Sequence, residues 1–205
     1  MRWLLAFTLS LCLLLGIFLF LADFGYAYQF LYRISGVYEE LPWTSEQIEE
    51  VTWQIRNYLF ARSDNLFVVV DGELVFLAQE IFHLWEVRFI FHELRRIFLG
   101  LLILLAIGLF NYSYKVVFRR QLFTTCGIFV LFGVAAIFFE KSFLWMHQLL
   151  FNNPYWGFTY DHRLIQLLKE GFFRGFLLIT MVLTLLVSIF IYQFRDKGGS
   201  RASYL

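Results

Sequence analysis

The chain has 205 residues, 60% of them apolar and 21% aromatic, with a formal net charge of +1 at neutral pH. A soluble globular domain is about 45–50% apolar, so the composition points to an integral membrane protein, and the near-zero charge argues against a nucleic-acid partner. The 27 phenylalanines suit a lipid-facing surface, and the six tryptophans and 11 tyrosines suit anchoring at the membrane–water boundary. Only two cysteines occur, Cys12 and Cys126. Both sit in apolar stretches, which argues against a disulfide framework, and no C-x-x-C offers zinc or redox chemistry.

In chain order, Trp3 to Ala22 is a run of 20 uncharged residues. At about 1.5 Å per residue it crosses a hydrocarbon core of roughly 30 Å. It is too long for the h-region of a signal peptide and ends without a small-x-small cleavage site, so it is expected to be a retained transmembrane helix. After Pro42-Trp43, Thr44 and Gln47 stand at the spacing of a capping box. The helix they start is expected to run to about Ala61, with Ile48, Val51, Ile55, Tyr58 and Leu59 on its apolar face. Val68 to Phe76 reads as a short hairpin around Asp71-Gly72, a pair suited to the positive φ of a tight turn. A helix from about Leu77 is expected to lead into a second span, Ile97 to Tyr114.

A basic loop (Lys115, Arg119, Arg120) separates this from a third span, Leu122 to Phe139. Residues 140–174 are expected to hold an aromatic interfacial or re-entrant stretch, a turn at Asn152-Asn153-Pro154, and a helix starting at Asp161-His162-Arg163 with Asp161 as its cap. The fourth span, Gly175 to Phe194, precedes Arg195, Lys197 and Arg201. By the positive-inside rule the basic loop, the C-terminal tail and Arg2 face the cytoplasm. The expected fold is an all-α membrane protein with four transmembrane helices and both termini cytoplasmic. A small extracytoplasmic helix and hairpin cap is built from residues 23–96 and 140–174. Residues 1–195 form one membrane-embedded domain, with spans at about 3–22, 97–114, 122–139 and 175–194, and 196–205 form a disordered cytoplasmic tail. All four histidines (His83, His92, His147 and His162) fall in the two extracytoplasmic segments.

On the helix before the second span, Glu80, His83 and Glu86 stand three apart and so share one side. Glu80 can orient one imidazole nitrogen of His83 and leave the other free as a base near neutral pH. The same pattern also fits an interfacial helix with snorkelling charges and no chemistry. In residues 140–174, Arg163 can hold a lipid phosphate or a carbonyl oxygen gaining charge, or with His162 it can simply face headgroups. His83, Glu86, His147 and His162 form a conceivable zinc ligand set, although H-E-x-x-H is absent. No G-x-S-x-G is present and neither cysteine lies on the extracytoplasmic side, so the nucleophile of any acyl transfer is expected to belong to the substrate.

The order of these motifs resembles the lipoprotein intramolecular transacylase (Lit) family of bacterial membrane proteins. Glu80-Ile-Phe-His83-Leu-Trp-Glu86-Val87 is similar to the family's E-x-x-H-M-x-D-V segment, with Glu86 in place of the aspartate. Phe143 to Trp156 resembles F-x-x-F-H-x-x-F-F-x-N-x-x-W. Asp161-His162-Arg163-Leu164-Ile165 and the later Glu170-Gly171-Phe172-Phe173 extend the likeness. Tyr28 and Tyr32 both fit the family's tyrosine position. The resemblance implies transfer of the sn-2 acyl chain of a lipoprotein's diacylglyceryl-cysteine to that cysteine's own α-amine, giving a lyso-form lipoprotein. It implies His83 as base and then acid, oriented by Glu80. Arg163, with His162 or Tyr28, would stabilise the oxyanion. Tyr32, His147, Asn153 and Trp156 would bind or support the substrate. No metal and no cofactor are implied. The partners would be the diacylated lipoprotein and membrane lipid, and the site would lie on the extracytoplasmic side of a bacterial plasma membrane. A metal-dependent membrane hydrolase and a non-enzymatic binding factor are the competing readings of the same residues.

Overall fold

The computed structural model describes residues 1–112 and 114–193 and is mostly helical; the expected tail 196–205 lies outside the described residues. The chain divides into two compact units. The first comprises Met1–Leu19, Arg95–Ile137 and the residues from Leu178 on, and the second comprises Phe20–Leu94 and Phe138–Leu177.

The first unit draws on α1 (Arg2–Asp23), the C-terminal part of α5 (Ala78–Asn111), α6 (Tyr114–Ile137) and α9 (Glu170–Gln193). Helices α1, α6 and α9 are long and apolar enough to cross a membrane, and α5 carries the uncharged run that begins at Ile97. Their ends do not coincide with the ends of the uncharged runs. Helix α6 starts at Tyr114 and includes Lys115, Arg119 and Arg120, because basic residues are good helix formers and hydrophobicity marks the span rather than the helix. Leu5, Ala6, Leu9, Cys12, Leu105 and Val117 form the apolar core of this unit. Helices α1 and α5 approach closely at Gly108, where an added Cβ would clash with a Leu5 methyl.

A buried hydroxyl and amide cluster ties α1, α6 and α9 together. Gln121 Nε2 donates to Thr125 Oγ1 (2.9 Å) and Ser188 Oγ (2.7 Å), and Thr125 Oγ1 donates to Ser10 Oγ (3.0 Å). Such interhelical bonds hold membrane helices that have no hydrophobic effect to drive them together. Lipid-facing character shows on α6, where Val130 and Leu131 are each 70% exposed.

In the second unit, α4 (Ser45–Leu59) begins at Thr44 with both halves of the capping box formed. The hairpin pairs β1 (Val69–Val70) with β2 (Glu73–Leu74), and Asp71 (φ 53°) and Gly72 (φ 84°) supply the two positive φ angles of its turn. Two further helices, α2 (Gly25–Ser35) and α3 (Val37–Glu40), fill a stretch where the sequence shows no start signal: the cap position of α2 is Phe24, which makes no side-chain cap bond. Gly36, at φ 70°, ends α2 in the left-handed conformation that costs glycine little. Helix α7 (Phe139–Leu150) is followed by an irregular stretch and by the short α8 (Arg163–Leu167). The cap position of α8 is His162, not Asp161. Asp161 instead accepts a short hydrogen bond from the Thr159 hydroxyl, so its carboxylate closes a local turn rather than the helix.

Candidate active site

The site grows from the first turn of α5. Glu80 is fully buried. Its Oε2 accepts from the Leu77 N–H (2.7 Å), and its Oε1 accepts from the Leu164 N–H in the first turn of α8 (2.8 Å). Both donors belong to helix starts, where backbone N–H groups lack partners within the helix, and a carboxylate complements the positive end of each helix dipole. The expected Glu80–His83 hydrogen bond is absent. A dry carboxylate is better served by two charge-assisted backbone bonds. Glu80 therefore pins α8 to α5 and sets where His162 and Arg163 stand relative to the next turn of α5.

That next turn carries His83, 7% exposed. Its ring lies among Phe151 (centroids 4.8 Å apart), Phe158 (5.3 Å) and His147 (6.0 Å, nearly parallel). Its Nδ1 is buried with no hydrogen-bond partner among the described residues. Burial, with a smaller contribution from His147 alongside, pushes its pKa down to about 4, so it is neutral at pH 7 with a lone pair available. His147, also buried, comes from α7. Its Nδ1 lies 2.8 Å from the Phe143 carbonyl. A carbonyl only accepts, so Nδ1 carries the hydrogen and Nε2 is the basic nitrogen. Burial lowers the pKa of His147 too, and Trp156 packs on its ring at 5.1 Å. Two neutral imidazoles thus face one another in an aromatic shell.

The stretch between α7 and α8 encloses this pair. Phe151 and Phe158 both touch His83. Between them, Asn153 donates from Nδ2 to Glu86 Oε1 (2.7 Å) and accepts from the Tyr155 N–H (2.9 Å). Gln79 on α5 donates to the Tyr155 carbonyl (2.9 Å). Phe158 also packs on His162 (5.2 Å), whose Nδ1 is 3.0 Å from Thr159 Oγ1. Arg163 lies over the Trp43 ring (5.2 Å) and donates to Gln166 Oε1 (2.7 Å).

The predicted tyrosines stand elsewhere in the unit. Tyr28 donates to the Ala22 carbonyl (3.0 Å), and Tyr32 shares a hydrogen bond with Thr52 (3.0 Å). Burial drives both phenols well above their usual pKa. They line a cavity of about 400 Å³ between α2 and α4, together with Trp53 and Arg56. The route from Tyr28 to His147 runs through three rings, Phe172, Phe173 and Phe143. The structure thus gathers His83, His147, Trp156, Asn153, His162 and the Glu80 staple, and it places Tyr28 and Tyr32 in the lining of the α2–α4 cavity. Phe158 escapes the sequence reading because nothing distinguishes it among 27 phenylalanines, whereas Phe151 lies in the Phe143 to Trp156 motif without a role assigned to it there. Among the described residues, no group of three His, Cys, Asp or Glu side chains is placed to hold a metal ion, so His83, Glu86, His147 and His162 do not converge as a ligand set.

Residues 3–173 match the family model described as lipoprotein intramolecular transacylase Lit. No curated protein matches the chain. Among solved structures, the in meso structure of the membrane-integral transacylase Lit from Bacillus cereus is similar at a TM-score of 0.78 and 19% identity, over 95% of this chain and 93% of that one. Two variants of the Bacillus cereus protein, with a histidine changed to arginine and to alanine, match at TM-scores of 0.78 and 0.77, over 94% of this chain and 88% and 89% of theirs, again at 19% identity.

Proposed function

This chain belongs to the lipoprotein intramolecular transacylase (Lit) family and is an acyltransferase of lipoproteins, and from that premise we propose that His83 and His147 move the protons of the transfer while Arg163 and His162 stabilise its oxyanion. The substrate is a diacylated lipoprotein whose α-amine attacks the carbonyl carbon of its own sn-2 ester. The new C–N bond forms, the C–O bond to the glyceryl sn-2 oxygen breaks, and that oxygen becomes a hydroxyl. An amine that arrives as ammonium gives up two protons, one ending on the sn-2 oxygen and the other in water.

The carrying observation is the pair of buried, neutral imidazoles, one with an unpartnered nitrogen. A neutral imidazole is ready to accept the amine proton and, once charged, to deliver it to the leaving oxygen. The aromatic shell of Phe151, Phe158 and Trp156 keeps water away, so the ester is taken by the amine rather than hydrolysed. Arg163 offers a fixed cation for the tetrahedral oxyanion, and Glu80 holds α8 against α5 so that this cation and the imidazoles keep their spacing. Tying the amine and ester of one molecule into one site makes the attack an oriented intramolecular step. Tyr28 and Tyr32 act in this reading by shaping the α2–α4 cavity rather than at the reacting atoms.

We further propose that residues 1–195 work as one membrane-embedded domain with four spans, the Ile97 segment of α5 being the fourth beside α1, α6 and α9. The basic residues at Arg2, at Lys115 to Arg120 and beyond Phe194 support cytoplasmic termini. That topology puts the histidine pair on the extracytoplasmic side of the bacterial plasma membrane, in reach of lipid as well as of the lipoprotein. Incubating the purified protein with a diacylated lipopeptide and reading its acyl positions by tandem mass spectrometry tests the reading. Loss of the sn-2 ester with gain of an α-amide on the same peptide is expected; an unchanged peptide would refute it.

A further inference from the structure

In the transacylase reaction the amine of the substrate arrives as a cation and has to be held before it is deprotonated. Two buried polar atoms on one face of α5 lack partners among the described residues. One is His83 Nδ1 and the other is Glu86 Oε2. Residues three apart on a helix are neighbours, with Cβ atoms about 5–6 Å apart. The same short stretch of chain covers both, since Phe151 packs on His83 and Asn153 bonds Glu86.

An unpaired buried carboxylate oxygen is costly. Asn153 satisfies only Oε1 of Glu86 and, in doing so, fixes the carboxylate's rotation with Oε2 left over. The nearest cation along the helix, Arg88, is committed to Asp64 (3.2 Å) and to the Tyr58 ring (4.7 Å). A leftover carboxylate oxygen beside a leftover imidazole nitrogen suits a ligand with several N–H donors and a positive charge, and an alkylammonium has both.

We propose that Glu86 is the binding residue for the α-ammonium of the lipoprotein cysteine, holding it against His83. The carboxylate does this without opposing deprotonation. It attracts one positive charge whether that charge sits on the amine or has passed to the neighbouring imidazole, so it stabilises both states of the proton transfer. Glu86 therefore selects substrates with a free amine and contributes mainly to binding.

The proposal rests on the transacylase reading for the identity of the ligand, and its test separates the two. The probe is a lipopeptide whose two chains are ether-linked to the glyceryl group, so that no transfer takes place, prepared with a free α-amine and with an N-acetylated one. The wild-type protein is expected to bind the free-amine probe at least about tenfold more tightly, the order of one charge-assisted hydrogen bond. Glu86→Gln, which keeps the Asn153 contact, is expected to bring that ratio to within about twofold by weakening only the free-amine form. Glu86→Asp, which keeps the charge, is expected to retain the preference. On the ester-linked substrate, Glu86→Gln should raise KM more than it lowers kcat. A Glu86→Gln protein with the wild-type preference overturns the proposal, and so does a wild-type protein with no preference, whatever the variants do. A wild-type protein that prefers the free amine but transfers no acyl chain would refute the transacylase reading and leave the Glu86 site standing.

Discussion

The second unit holds two aromatic-walled sites whose titratable rings are treated in opposite ways. In the α2–α4 cavity the phenols are engaged, Tyr28 with the Ala22 carbonyl and Tyr32 with Thr52. In the His83–His147 cluster, polar atoms that cost free energy to bury are left without partners. Natural structures satisfy nearly all buried polar groups, and an exception calls for an explanation. The two phenols explain themselves as architecture, although Arg56 Nε in the same cavity lining is also left without a partner among the described residues. The histidine cluster is explained if a substrate completes it.

This contrast is open to attack by substitution. His83→Ala should reduce acyl transfer by about a thousandfold, within the range of a lost general base, while the protein still inserts in the membrane and keeps its detergent-solubilised Tm within a few degrees. Wild-type-like turnover would remove His83 from the chemistry. A pH series probes the same burial. The pKa of His83 is about 4 in the folded protein against about 6.5 for a free imidazole. Between those values the unfolded chain binds more protons than the folded one. The stability contribution of neutral His83 is thus fully present above about pH 6.5 and is lost as pH falls to about 4, an effect on the order of 3 kcal/mol. His83→Phe should flatten this part of the Tm–pH curve, and a curve of unchanged slope would contradict the burial argument.

His147→Ala should cost about a hundredfold in transfer rate, assayed on the same lipopeptide. An equal loss in His147→Phe would tie the effect to the basic nitrogen rather than to packing, whereas full activity in His147→Phe would make the ring's role steric. The smallest change is expected from Tyr28→Phe. It should leave transfer within about threefold and lower stability by about 1 kcal/mol, the worth of one hydrogen bond. A Tyr28→Phe enzyme as inactive as His83→Ala would erase the distinction between the two sites.

What the sequence displays is what depends on short-range rules. The capping box at Thr44 and Gln47 is formed as its spacing predicts, and the Asp71-Gly72 turn joins the two strands. The uncharged runs underlie α1, α6 and α9. The Glu80-x-x-His83-x-x-Glu86 series does lie along one helix, α5. What it hides is set by chain segments far apart in sequence. Glu80 lies 84 residues from Leu164, whose N–H it accepts, so spacing on the helix suggested a local partner, His83, for a carboxylate whose better ligand was remote. Helix α2 begins without a side-chain cap and is held by aromatic packing of Tyr28 and Tyr32 on Phe172, which no window of adjacent residues reveals. The family likeness supplied His83 and the placement of His147 near the motif. The parallel stacking of the two rings came from the fold, because α7 and α5 meet only in three dimensions.

The central claim is that one dry histidine pair passes an acyl chain within a single molecule. It is tested most directly by a lipopeptide carrying an isotope-labelled sn-2 acyl chain, mixed with an unlabelled lipopeptide of different peptide mass and incubated with the wild-type protein. The expected product carries the label as an α-amide on the originally labelled peptide alone, with no labelled free fatty acid, and it is missing when His83→Ala replaces the wild type. Label released as free acid, or found on the second peptide, would contradict the account.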